Sequence, residues 1–126
     1  MLDVELSQLD SAVAELQGQL RDGLVAADIL DLTSGISLAG FNSNPAATAM
    51  FPLMADQINQ MLEGIAYPEL NRFFLLDLAS DHSLVVVRSG EDMLTTLLID
   101  NTKTTLGVLL GVAIPRALGN IEAARR

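Results

Sequence analysis

The sequence predicts one α+β domain, residues 1–126, with five antiparallel strands covered by helices on both faces in the order α-β-β-α-β-β-β-α. Three observations lead there. Apolar residues recur at helical spacing near both ends and again in the middle of the chain. Between those stretches lie strand-length apolar runs, punctuated by Gly, Ser, Asp and Asn. Half of the residues are apolar but only 4% are aromatic, so the core must be aliphatic, and 126 residues is the size of one domain. No internal repeat or linker interrupts it.

Leu2, Leu6, Leu9, Val13, Leu16 and Leu20 repeat at alternating spacings of four and three, which predicts a helix with a narrow apolar seam ended by Asp22-Gly23. Leu24–Leu32 and Ile36–Phe41, joined by Thr33-Ser34-Gly35, read as a β-hairpin with Asp31 as turn former. Both residue parities are apolar in places, so this sheet is expected to be covered on both faces. Asn44-Pro45 then supplies an N-cap and a first-turn proline. The helix that follows is expected to present Ala47, Met50, Phe51, Met54, Ala55, Ile58, Met61, Leu62 and Ile65 on one arc, leaving Leu53 outside it. Pro52 predicts a kink or a late helix start.

Tyr67-Pro68-Glu69 breaks that helix. Arg72–Leu78, Leu84–Arg88 and Leu94–Ile99 read as an antiparallel meander. Asp100, Asn101 or Thr102 is expected to cap a last helix whose face is Leu106, Leu109, Leu110, Ala113, Ala117 and Ile121. Pro115 lies four residues after Gly111, which predicts a bend. The Gly107 and Gly111 pair is expected to bring this helix close to the sheet.

Net charge is −9, which argues against nucleic acid. The first 100 residues hold 15 acids and three bases, whereas the last 26 hold Lys103, Arg116, Arg125 and Arg126 against Glu122. Those terminal bases are expected to complement a helix dipole and to be solvated. There is no cysteine, so disulfides and thiol chemistry are excluded. No signal peptide is visible, and the uncharged stretch Thr104–Pro115 is too short to span a bilayer, so a cytoplasmic location without membrane insertion is expected.

Catalytic patterns are missing. His82 is the sole histidine and sits in a turn, and the adjacent acids Glu91 and Asp92 do not converge. Asp28, Asp31 and Ser34 lack the spacing of a calcium loop, and the isolated glycines form no phosphate cradle. We therefore expect no enzyme, no cofactor and no metal. What remains is surface for a partner. Phe73-Phe74-Leu75-Leu76 is apolar on both faces and opens the meander, where an unprotected edge invites pairing with another chain. With the Met-rich helix beside it, it is expected to form one apolar interface, unless both elements are buried within the monomer.

The stretch VAADILDLTSGISLAGF from Val25 to Phe41, the Asn44-Pro45 helix start, the strand Leu84–Val87 and the terminal helix Leu106–Leu118 together resemble the roadblock family of dynein light chains and small-GTPase regulators. The resemblance covers nearly the whole chain. It implies a profilin-like layout with the second helix on one side of the sheet and the first and last helices on the other. It further implies a homodimer through the third strand and the second helix, with Met50, Met54, Ile58, Met61, Arg72, Phe73, Phe74, Leu75 and Leu76 at the interface. Such proteins are platforms for Ras-like GTPases, and bacterial members can stimulate GTP hydrolysis by the partner. The alternatives are a small-ligand sensor of related architecture and a structural adaptor in a larger complex.

Overall fold

In the computed structural model, which describes residues 2–126, the chain forms α1 (Leu6–Leu20), β1 (Leu24–Asp31), β2 (Ser37–Phe41), α2 (Pro45–Gly64), β3 (Phe73–Leu78), β4 (His82–Ser89), β5 (Met93–Asp100) and α3 (Leu106–Ala123). The strands make one antiparallel sheet in the order β2-β1-β5-β4-β3. Both the element order and the fold class match the expectation from sequence.

The seam of α1 is buried at Leu9, Val13, Leu16 and Leu20, while Leu6 is exposed and Leu2 precedes the helix. Leu16 and Leu20 pack with Val85, Leu97 and Ile99 of the sheet and with Leu109, Ala113 and Ala117 of α3. Leu9 and Val13 join Ile29, Met93 and Ile121 in a neighbouring cluster. Leu30, Leu84, Val86 and Leu94 project from the opposite face, where Phe51 and Met54 of α2 meet them. The sheet therefore has α1 and α3 on one side and α2 on the other.

Local chemistry sets the connections. The Asp31 carboxylate accepts from the Thr33 N–H and the Ser34 hydroxyl, which closes the hairpin turn. Asn44 caps α2 by accepting from the N–H groups of Ala46 and Ala47. The helix starts at Pro45 and runs through Pro52, so the late start does not occur.

The first half of α3 corrects three expectations. Asp100 accepts from the Thr102 N–H and hydroxyl, which hold its carboxyl below the usual range, but it shapes a turn and does not cap the helix. Thr105 is the cap, accepting from the Val108 N–H. Leu109–Ala113 is wound as a π-helix immediately before Pro115, which has no N–H to give the Gly111 carbonyl. That wider turn rotates the helix face. Leu109, Ala113, Ile114, Ala117 and Ile121 are buried, whereas Leu106 and Leu110, assigned to the core by spacing, are exposed. Gly111 faces open space and a Cβ on Gly107 would meet only Thr105 Oγ1 at 3.9 Å, so neither gives a close approach to the sheet. By length and composition α3 is sufficient to cross a membrane, yet here it lies against the sheet.

Candidate interaction surface

β3 pairs with β4 alone, so its other side is a free sheet edge. The strand is far less covered than its neighbours: β4 is buried from Ser83 to Val87, but no residue of β3 is fully buried. Its side chains alternate. Phe74 and Leu76 join the cluster beneath α2, together with Met54. Leu75 turns to the other side and packs beside Val85 and Leu97. Phe73 is 47% exposed and Leu78 39% exposed.

α2 divides its apolar arc between the sheet and solvent. Thr48 is its single buried residue, and Phe51, Met54, Ile58 and Leu62 are half-buried. Met50 is 53% exposed, Leu53 51%, Met61 65% and the C-cap Ile65 59%. An amphipathic helix facing only its own core would leave polar groups at such positions. Four large apolar side chains in water along one helix are the kind of exposure that interaction surfaces show.

The predicted interface residues are thus partly united. Met50, Met61, Arg72 and Phe73 are exposed, Met54 and Ile58 are half-buried on α2, and Phe74, Leu75 and Leu76 are half-buried on β3. Met54, Phe74 and Leu76 share one cluster, whereas Leu75 faces α1 and α3. Leu53, Leu78 and Tyr67 are exposed apolar surface that helical or strand spacing did not single out. Their signal was present in composition but not in periodicity. The outer side of α3 adds Leu106, Val108, Leu110 and Val112, all exposed.

Arg72, just before β3, and Arg88, near the end of β4, line a hollow of about 220 Å³ between α2 and the β3–β4 edge, facing Asp56 and Asn59. Asn59 accepts the Leu70 N–H there and so fixes the segment leading into β3. Among the described residues neither arginine makes an ion pair, whereas Arg116, Arg125 and Arg126 all do.

At the basic C-terminus Arg125 acts as a clamp, while Arg116 and Arg126 pair with carboxylates but stay more than half exposed, as a solvated end would be. Arg125 grips both carboxylate oxygens of Asp92 at 2.7 and 2.8 Å and donates to the Ser89 carbonyl at 2.7 Å. Hydrogen bonding to that guanidinium holds the Asp92 carboxyl below the usual range, against a smaller opposing effect of burial. Gly90, at φ +66, leaves the space that Arg125 occupies. Arg126 reaches Asp3 and Glu5, Arg116 reaches Glu15, and Val4 pairs with Arg125 as a short antiparallel bridge.

Among the described residues no group of three His, Asp or Glu side chains is placed to hold a metal ion. No family model matches the chain, and no curated protein matches it by sequence. Solved structures do match. MglB of Myxococcus xanthus superposes with a TM-score of 0.78 over 100% of this chain and 96% of its own, at 12% identity. The gliding protein MglB of Thermus thermophilus gives 0.73 over 98% and 95%, at 18% identity. A Roadblock/LC7 domain of Streptomyces avermitilis gives 0.66 over 90% and 94%, at 14% identity. The fold of this chain is the roadblock fold.

Proposed function

We propose that this roadblock-fold chain is a cytoplasmic, non-enzymatic homodimer that serves as a scaffold or regulator of a Ras-like small GTPase. One observation carries the reading: the unpaired edge of β3 lies next to an α2 that leaves Met50, Leu53, Met61 and Ile65 in water. Two copies paired through β3 would extend the sheet and bring the two α2 helices together, removing both exposures at once. The whole-length likeness to two MglB proteins, one described as a gliding protein, supports a regulatory role. The GTPase follows from the family resemblance in the sequence. Chemistry in such a complex belongs to the partner, and neither Arg72 nor Arg88 is assigned a part in it.

Light scattering on the purified chain at micromolar concentration tests the first half. A mass of twice 13.4 kDa is expected, and a monomer overturns the dimer. Capture of a small GTPase from native lysate, dependent on its nucleotide state, tests the second half. If GTP-loaded and GDP-loaded lysates yield no GTPase, the regulator reading fails while the dimer stands.

A further inference from the structure

A second hollow lies on the α2 side of the sheet, nearer the start of α2, and its chemistry differs from that of the arginine-lined one. Asp28 of β1 and Thr96 of β5 face each other across neighbouring strands, and each is only 3% exposed. Asp28 Oδ1 accepts from the hydroxyls of Ser37 at 2.7 Å and Ser43 at 2.5 Å. Gly40 stands opposite Asp28 in the register, because a side chain there would collide with the carboxylate and with Ser43. Among the described residues no donor reaches Asp28 Oδ2, and no hydrogen bond holds the Thr96 hydroxyl. Thr95 Oγ1 is the fully buried side-chain atom without a partner among the described residues, so Asp28 Oδ2 and the Thr96 hydroxyl are reachable from the hollow.

Both groups line a cavity of about 450 Å³ whose walls include Phe51, Leu78, Leu84 and Leu98. That volume falls within the range of small-molecule sites, roughly 300–1,000 Å³, and an apolar pocket with a few convergent polar groups is their usual composition. No Lys, Arg or His lines it, so an anion would find no cationic partner and would meet the Asp28 carboxylate instead. The apolar walls suit a hydrocarbon and not a hydrated metal ion. At the cavity Asn42 donates through its amide to the Val25 carbonyl, and Asn44 uses its carbonyl oxygen to cap α2, so Asp28 is the charged group among the lining residues.

We propose that this cavity binds a primary ammonium on a short aliphatic chain. The ammonium donates to Asp28 Oδ2 and to the Thr96 hydroxyl, and the alkyl chain lies against Phe51, Leu84 and Leu98. Free amines and protein lysines share this chemistry. The site goes beyond the GTPase reading and does not depend on it.

The test is a titration of the full chain with n-butylammonium chloride at constant ionic strength, followed by amide chemical shifts. Saturable shifts centred on Asp28, Thr96 and Phe51 are expected, with none from n-butanol at equal concentration. Asp28→Asn should weaken binding at least tenfold. Ala47→Leu keeps the carboxylate but fills the cavity from the α2 side, and it should abolish binding, which keeps the test decisive if Asp28→Asn does not fold. A stronger response to Nα-acetyl-lysine methylamide than to butylammonium assigns the ligand to a protein lysine, and the reverse assigns it to a free amine. Shifts that do not saturate, equal binding of butanol, or unchanged binding by Ala47→Leu would overturn the proposal.

Discussion

A Cβ on Gly40 would run into the Ser43 hydroxyl and the Asp28 carboxylate. Gly40→Ala is therefore expected to lower stability by about 1–3 kcal/mol through overpacking, read as a lower midpoint in urea. The opposite sign is expected at Thr95, whose buried hydroxyl has no partner. Thr95→Val removes that unpaired group from among Val87, Leu97 and Ile114, and should leave the melting temperature unchanged or raise it. At this scale the sequence was legible where a side chain acts on its own backbone. Asp31 and Asn44 declare a turn and a cap by type and spacing alone. Asp28 did not stand out as a site, because its partners Ser37, Ser43 and Thr96 lie on other strands or loops and meet it only through the β1 pairings.

For whole elements, α2 and β3 divide their apolar residues between the core and solvent, and substitutions should follow that division. Met61→Glu and Phe73→Glu alter exposed positions, so both should shift a dimer to monomer in sedimentation while leaving the circular dichroism spectrum intact. Leu75→Glu places a charge beside Val85 and Leu97 and should unfold the chain. Periodicity located the apolar arc of α2 but not how much of it the sheet covers, since an arc reads the same whether its own chain or a partner hides it. On the α3 face Leu109, Ala113, Ala117 and Ile121 are buried as spacing implies, and Leu110 departs from it for a different reason. Spacing assumes 3.6 residues per turn, and the π-helical stretch before Pro115 departs from that.

The terminal clamp makes a further prediction at this scale. Asp92 has its carboxyl pKa lowered by Arg125, so the pair stabilises the fold above the unfolded Asp value near 3.9 and that contribution disappears as pH falls through the lower folded value. Both partners are partly exposed, so Arg125→Gln should cost only about 1 kcal/mol at neutral pH, and its melting curve should converge on that of the parent below about pH 4. The clustering of bases at the end of the chain was plain in the sequence. Their role was not, because Asp92, Glu15 and Asp3 lie far from them along the chain.

Over the whole molecule, each chain carries −9, and Asp56, Glu63 and Asp77 sit exposed on the same two elements as the apolar surface. Self-association through that surface must overcome repulsion between like-charged copies. Raising ionic strength from about 10 mM to about 150 mM shortens the screening length from roughly 30 Å to roughly 8 Å and should tighten a dimer. A dissociation constant that rises with salt would place the contact on the charged surfaces instead of the apolar one. Fold class and the order of elements along the chain were the most legible features of all, since alternating runs of strand and helix length leave few ways to bury both faces of an aliphatic sheet.

The pairing of Val4 with Arg125, reinforced by Arg126 on Asp3 and Glu5, holds both ends of the described chain side by side on the α1 and α3 flank. In topological terms the backbone is nearly a closed ring. A short glycine linker should join residues 3 and 126 with little distortion, and new ends opened at the exposed Ala79–Asp81 turn would give a permuted chain with the same sheet. Any tag or fused module attached at either end departs on the flank opposite α2, so a reporter could be carried there while the surface of α2 stays free.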